Sequence, residues 1–326
     1  MRTVLILNPT SGLSALAEPQ VHTPESNEEI ILRTLQTYGI EPEVWHTTFE
    51  DPGEGLAKKA ANEHIDLVIA AGGDGTIHAV ASGLVKSEST LGIIPMGTMN
   101  NLAHSLGIPS TLEEACAIIG KGESHAIDVG HINGQIFLEV AGAGLEAALF
   151  PAAEEIKQSH FLSTVRGAIG GLFTLLTYRP SRLKISFDET QKRSYHALQV
   201  TICNAPYYGA HFAVAPQAVM DDGMLDVVIY RRFSKLEYIK HAISISQGRR
   251  DFQPKIRYLR VKSMRISSEY PLAIQADGQP HGSTPATIGV IPGALRICIS
   301  ATQAPGLRNE QKTNETLPLA VSSRRR

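Results

Sequence analysis

The chain has 326 residues, 43% of them hydrophobic, with 30 Lys and Arg against 32 Asp and Glu and a formal net charge of −2. That length suits two domains with ordinary cores, and the near-neutral balance, with no long basic run before the closing Ser-Ser-Arg-Arg-Arg, argues against a nucleic-acid binder. Cys116, Cys203 and Cys298 are odd in number and lie in apolar surroundings, so they read as reduced thiols of a cytoplasmic protein and not as a disulfide frame or metal set. No signal-peptide profile precedes the first strand pattern, and the longest apolar stretch, residues 167–178 between Arg166 and Arg179, is too short to span a bilayer.

In chain order, strand patterns fall at 3–8, 40–46, 66–71 and 91–94, and helical patterns near 25–38, 54–64, 76–86, 99–106 and 111–120. Gly39 closes the first helix and Gly107-Ile-Pro109 stops the fourth. This alternation predicts a Rossmann-like parallel α/β sheet covered on both faces. From Ile127 the texture turns β-rich. Asn133-Gly134 between two apolar runs signals a hairpin, and further strands are expected at 182–188, 195–203, 225–231, 256–267, 271–276 and 286–300, with helical segments at 150–178 and 234–247. The expected organisation is an α/β domain over 1–128, an all-β sandwich or barrel over 129–301, a site in the cleft between them, and a polar, disordered tail over 302–326. The tail's arginines read as a solvated end in preference to an anionic-lipid contact.

Three strands of the first domain end in small, hydroxyl- or amide-bearing loops. Leu67-Val-Ile-Ala-Ala-Gly-Gly-Asp-Gly-Thr-Ile-His78 runs from an apolar strand through Gly72, Gly73 and Gly75 into a helix start. Glycines let a ligand approach the backbone, and free N–H groups at a helix N-terminus favour phosphate oxygens. Asp74 would repel phosphate unless a divalent cation sits between them; the plain alternative is a turn in which Asp74 caps the helix. Leu91-Gly-Ile-Ile-Pro-Met-Gly-Thr-Met-Asn100 and Val4-Leu-Ile-Leu-Asn-Pro-Thr-Ser-Gly12 have the same strand-to-loop form. Ligands of open α/β sheets bind beyond the carboxyl ends of the strands, so the three loops can share one site.

The ordered set Asn8-Pro-Thr-Ser-Gly12, Gly72-Gly-Asp-Gly-Thr76, Pro95-Met-Gly-Thr-Met-Asn100, Asn204-Ala-Pro-Tyr-Tyr-Gly209, Ala215-Pro-Gln-Ala-Val-Met-Asp-Asp-Gly-Met-Leu-Asp226 and Gln275-Ala-Asp-Gly-Gln279 resembles the diacylglycerol kinase catalytic-domain family of lipid kinases, which includes sphingosine and ceramide kinases. The likeness spans roughly residues 3–300. It implies an ATP- and Mg²⁺-dependent kinase of lipid metabolism and phospholipid biosynthesis, with an NAD-kinase-like fold. The acceptor would be a hydroxyl of a diacylglycerol-like or other long-chain lipid, met peripherally at the membrane surface. A homodimer is compatible with it. It further implies nucleotide contacts from Asn8, Pro9, Thr10, Ser11, Gly12, Thr48 (or its neighbour Thr47), Gly72, Gly73, Gly75, Thr76, Thr98 and Asn100. Asp74 would join a water-bridged Mg²⁺ network. Asp222 with the carbonyls of Val219 and Met224 would bind a structural Mg²⁺ or Ca²⁺, as oxygen donors suit; the alternative there is an ordinary Asp-Gly turn.

Two departures stand out. The family usually carries Asp-Gly-Glu at the acceptor site, with the glutamate as base, and this chain has Asp277-Gly-Gln279. An amide cannot take a proton near neutral pH. General-base loss costs about 10²–10⁴-fold, although positioning and charge stabilisation dominate phosphoryl transfer, so Gln279 predicts weakened activity with Asp277 or His281 as substitutes. Asn101 stands where many members have Asp. The competing readings are a NAD-kinase-like enzyme, which shares only Gly-Gly-Asp-Gly-Thr, and a catalytically weakened lipid or nucleotide binder. Gly142-Ala-Gly-Leu-Glu-Ala147 follows a strand but lacks the βαβ context of a dinucleotide fingerprint. Residues 159–178 read either as an amphipathic cover on a lipid cleft or as an ordinary packed helix.

Overall fold

The structure is a computed structural model that describes residues 1–11, 26–121, 123–149, 161–187, 191–208, 213–247, 249, 255–300 and 307. The first domain alternates β1 (Thr3–Leu7), α1 (Asn27–Gln36), β2 (Glu43–His46), α2 (Glu54–Asn62), β3 (Leu67–Gly72), α3 (Asp74–Leu84), β4 (Thr90–Pro95), α4 (Asn101–Ser105) and α5 (Leu112–Lys121). Its strands pair in parallel in the order β4-β3-β1-β2. Alternation along β1 shows why both faces are covered. Val4 and Ile6 enter one core with Val68 and Ala70, and Leu5 and Leu7 enter another with Ile69 and Ala71. Burying one such side chain contributes about 1.5–3 kcal/mol. Local signals act as expected: Ser26 Oγ accepts from Glu29 N and Glu29 Oε2 accepts from Ser26 N, a capping box that starts α1.

The second domain holds β5 (Glu123–Ile132), β6 (Gln135–Phe137), β7 (Val140–Gly144), α6 (Phe161–Thr177), β8 (Ser181–Phe187), β9 (Gln191–Cys203), β10 (Leu225–Arg231), α7 (Lys235–Ser246), β11 (Ile256–Val261), β12 (Ser263–Ser268), β13 (Ala273–Ala276), β14 (Gln279–Ser283) and β15 (Ala286–Ile299). Its pairings are antiparallel, with β14-β13-β7-β9-β8-β12 leading into β15. Asn133 and Gly134 take φ of 49° and 88° and turn β5 into β6, as the Asn-Gly pair predicts. The single strand expected over 256–267 is two, because the chain breaks between Val261 and Ser263 so that β11 pairs with β10 and β12 with β8 and β15. β7 belongs to this antiparallel sheet, so 142–147 is not a dinucleotide turn.

β15 joins the two halves. Its first part pairs with β12, a bulge falls between Ile291 and Leu295, and Arg296 and Ile297 then pair in parallel with β4. β5 crosses residue 128 and lies along β15 on both sides of that bulge. The strands that link the domains are therefore continuous, and α3 meets the β13–β14 turn beside them, His78 Nε2 lying 3.3 Å from Asp277 Oδ2. Cys116, Cys203 and Cys298 are buried free thiols. Of the tail, Leu307 is described and is buried against the first core; the rest lies outside the described residues.

Candidate active site

The first-domain loops meet through backbone. A Cβ on Gly97 would stand 2.8 Å from Gly73 Cα and 2.9 Å from Asn100 Oδ1, so glycine at 97 is what lets the β3 and β4 loops touch. A Cβ on Gly75 would meet nothing within 4 Å. Open space therefore adjoins the first turn of α3, where the leading N–H groups have no intrahelical acceptor. That cradle fits phosphate oxygens. Thr76 is buried, and its Oγ1 accepts from Asn8 Nδ2 at 3.0 Å. Asn8 Oδ1 accepts from Thr10 N and Thr10 Oγ1, which folds the exposed Pro9–Thr10 turn back onto β1. Ser11 N donates to Asn8 O. Gly12 lies outside the described residues. Thr48 is exposed and its Oγ1 accepts from Asp51 N, while Thr47 N donates to Leu7 O. Thr98 is exposed at the tip of the β4 loop. Asn100 sits at φ 49° and clasps Gly97 through both ends of its amide.

Asp74 has a partner that sequence reading did not supply. It is the first residue of α3, yet its carboxylate caps α4: Oδ2 accepts from Asn100 N at 3.0 Å and Oδ1 from Asn101 N at 2.7 Å. Each oxygen keeps a further lone pair that suits a water or cation. Glu139, just before β7, completes the arrangement. Burial, then the charges of Asp277 and Asp74, push its carboxyl well above the ordinary range, against hydrogen bonds from the Asn101 side chain and Leu102 N. Asn101 thus meets an acceptor, for which an amide donor is suited where a third carboxylate would repel.

Asp277 is held by backbone. Oδ1 accepts from Glu139 N at 3.0 Å and Val140 N at 2.9 Å, and Oδ2 from Leu138 N at 2.6 Å, while Asp277 N donates to Val140 O. Asp277 and Gly278, at φ 44° and 76°, form the turn between β13 and β14 and present Gln279 exposed at its end. His281 Nδ1 lies 3.0 Å from Gln279 O. Across the junction, His78 Nε2 of α3 approaches Asp277 Oδ2 at 3.3 Å. Burial is the largest influence on the His78 ring and lowers its pKa, but the hydrogen bond and charge of Asp277 with the charge of Glu54 outweigh it, so the net displacement is upward. His78 and Glu139 were both missed from sequence. A histidine one turn after Asp74, and a charge inside Phe137-Leu-Glu-Val140, were the available signals.

The later motifs make contacts within the second domain and against α4. Buried Asn204 donates from Nδ2 to Asp128 O and Leu138 O, and Tyr207 stacks edge-on against His104 of α4 at 4.7 Å; Gly209 lies outside the described residues. Asp222 Oδ1 accepts from Met224 N, and Oδ2 pairs with the Arg260 guanidinium. Positive charge is thus already present at that carboxylate. Among the described residues no group of three or more His, Cys, Asp or Glu side chains is set to hold a metal.

An exposed apolar surface lies on the second domain. Ile169, Leu172, Phe173 and Leu176 follow helical i, i+3, i+4, i+7 spacing on α6 and are 56–68% exposed. Leu236, Ile239 and Ile243 are likewise exposed on α7, and Lys235 Nζ donates to Leu176 O, which ties the two helices together. No helix among the described residues is long and apolar enough to cross a membrane.

Glycine loops at the carboxyl ends of a parallel sheet, with a carboxylate-bearing turn from a β domain beside them, fit the class of nucleotide-dependent phosphotransferases. Residues 2–132 match the diacylglycerol kinase catalytic domain and residues 139–299 the YegS C-terminal NAD kinase beta sandwich-like domain. The chain is 30% identical to a diacylglycerol kinase of Bacillus subtilis over 87% of its own length and 91% of that protein's. A diacylglycerol kinase structure from Bacillus anthracis shares the fold with a TM-score of 0.70 and 24% identity, covering 92% of this chain and 97% of that one. An NAD kinase from Archaeoglobus fulgidus does so at 0.50 and 13%, covering 92% and 94%. The chain therefore belongs to the diacylglycerol kinase catalytic-domain family and is a lipid kinase.

Proposed function

We propose that the chain transfers the γ-phosphate of ATP to a hydroxyl of a diacylglycerol-like or other long-chain lipid, working peripherally at a membrane surface. The observation that carries this reading is that family likeness runs through both domains, residues 2–132 and 139–299, and not through the nucleotide half alone. Asn8 to Gly12, Thr48, Gly72 to Thr76, Thr98 and Asn100 would hold the nucleotide, with Asp74 beside its Mg²⁺. Bound Mg²⁺-ATP supplies the transferable phosphoryl group and neutralises part of its charge. A structural cation at Asp222 with the Val219 and Met224 carbonyls would have to displace Arg260.

The exposed apolar row of α6 and α7, with exposed Arg166, Arg179 and Lys240 nearby, supports presentation of the acceptor from a lipid surface. Vesicle co-sedimentation tests the reading: Phe173→Asp combined with Leu176→Asp should release the protein from vesicles and cut turnover of vesicle-borne lipid. Unchanged sedimentation and unchanged turnover would count against membrane presentation.

A further inference from the structure

Residue 279 carries no carboxylate, so the acceptor hydroxyl needs another proton acceptor. Asp277 is poorly suited, since its two oxygens already accept three backbone N–H bonds at 2.6–3.0 Å. A carboxylate has about four acceptor sites, and the fourth faces His78 at 3.3 Å. His78 is placed differently. It stands one helical turn after Asp74, on the helix whose N-terminus forms the phosphate cradle, and its side chain is 32% exposed. With the proton on Nε2, the nitrogen beside Asp277 Oδ2, the lone pair lies on Nδ1. Ser82 Oγ stands 3.5 Å from that nitrogen, and the shorter bond of its hydroxyl goes to His78 O at 2.7 Å.

We propose that His78 is a catalytic residue of this kinase, the base that receives the proton of the acceptor hydroxyl, and that Asp277 is the positioning residue that fixes its tautomer. The proposal rests on the lipid-kinase reading and deepens it. The hydroxyl oxygen forms the new bond to the γ-phosphorus, and the bond from that phosphorus to the bridging oxygen of ATP breaks. ADP leaves with the electron pair, and the hydroxyl proton passes to His78. Asp277 then faces an imidazolium, the same logic by which a buried carboxylate steadies a histidine base elsewhere. The upward displacement of the His78 pKa agrees with this pairing. The charged groups that bear on the ring are Asp277 from the β13–β14 turn and Glu54 from α2, the latter bridged to Lys58.

The test uses the full chain with ATP, Mg²⁺ and mixed micelles of a lipid that the wild type phosphorylates. His78→Gln should lower kcat by about 10²-fold or more, leave KM for ATP little changed and remove the ascending limb of the pH–rate profile. His78→Ala should be partly rescued by added imidazole, a response that a packing role would not give. Independently of turnover, ring NMR of the nucleotide-free protein should show the His78 titration moving down in Asp277→Asn. A His78→Gln variant with wild-type kcat and an unchanged profile overturns the base assignment while leaving the lipid-kinase reading intact. A wild type that phosphorylates no lipid overturns both. A histidine titration indifferent to Asp277→Asn overturns the positioning role.

Discussion

Replacing Asp74 with alanine should destabilise the protein even with metal and nucleotide removed, because the carboxylate caps α4. It accepts from Asn100 N at 3.0 Å and Asn101 N at 2.7 Å. Hydrogen bonds to a charged group contribute about 1.5–3 kcal/mol each, and Asp74 is part-exposed, so two bonds at the lower end give about 3 kcal/mol. Removing a negative charge that bears on Glu139 offsets part of this, for a net loss of about 2 kcal/mol. Asp74→Asn keeps one acceptor and should lose about half as much. Urea unfolding in chelator, followed by circular dichroism, measures both. An Asp74→Ala stability within about 0.5 kcal/mol of wild type would refute the capping argument and leave Asp74 with a ligand role alone.

Three further outcomes follow from the same geometry. Gly75→Ala adds a Cβ where nothing lies within 4 Å, so the fold should hold or gain up to about 1 kcal/mol while ATP binding by calorimetry weakens; Gly97→Ala, 2.8 Å from Gly73 Cα, should cost about 1–3 kcal/mol of stability as well. Glu146, which burial lifts from 4.5 to about 7, holds its proton in the folded state after the unfolded chain has lost it. Its stabilisation is therefore full below pH 4.5 and is lost as pH rises through about 7; the unfolding free-energy difference between wild type and Glu146→Gln should fall by about 2 kcal/mol from pH 5.5 to 8. Gln279→Glu should change kcat by less than about threefold, because the proton already has an acceptor, whereas a gain of about 10²-fold would show that none was in place.

The first domain was legible because its signals are local. Alternating apolar runs, Gly39 after α1 and the glycines around Asp74 each fix a short stretch of backbone, and β1, β3 and β4 appear within a residue or two of their expected places. The second domain was legible as β-rich but not in detail, since a break such as Lys262 is set by which neighbours each half finds and not by its own composition. The site was half legible. Glycine loops declare themselves by residue type, and all three appear at the sheet's carboxyl end. Contacts between residues 74 and 101, 101 and 139, or 78 and 277 are long-range, and no spacing rule encodes them. The role of Asp74 as a cap for a helix 26 residues further on is the clearest case.

A kinase that phosphorylates a lipid leaves its label in the organic phase. Incubating the full chain with γ-labelled ATP, Mg²⁺, diacylglycerol-containing vesicles and NAD together, then separating organic and aqueous phases, tests for this most directly. Label should appear in a lipid phosphate and be lost in the Asp74→Ala and His78→Gln variants. Label in phosphorylated NAD with none in any lipid offered would contradict the lipid-kinase reading.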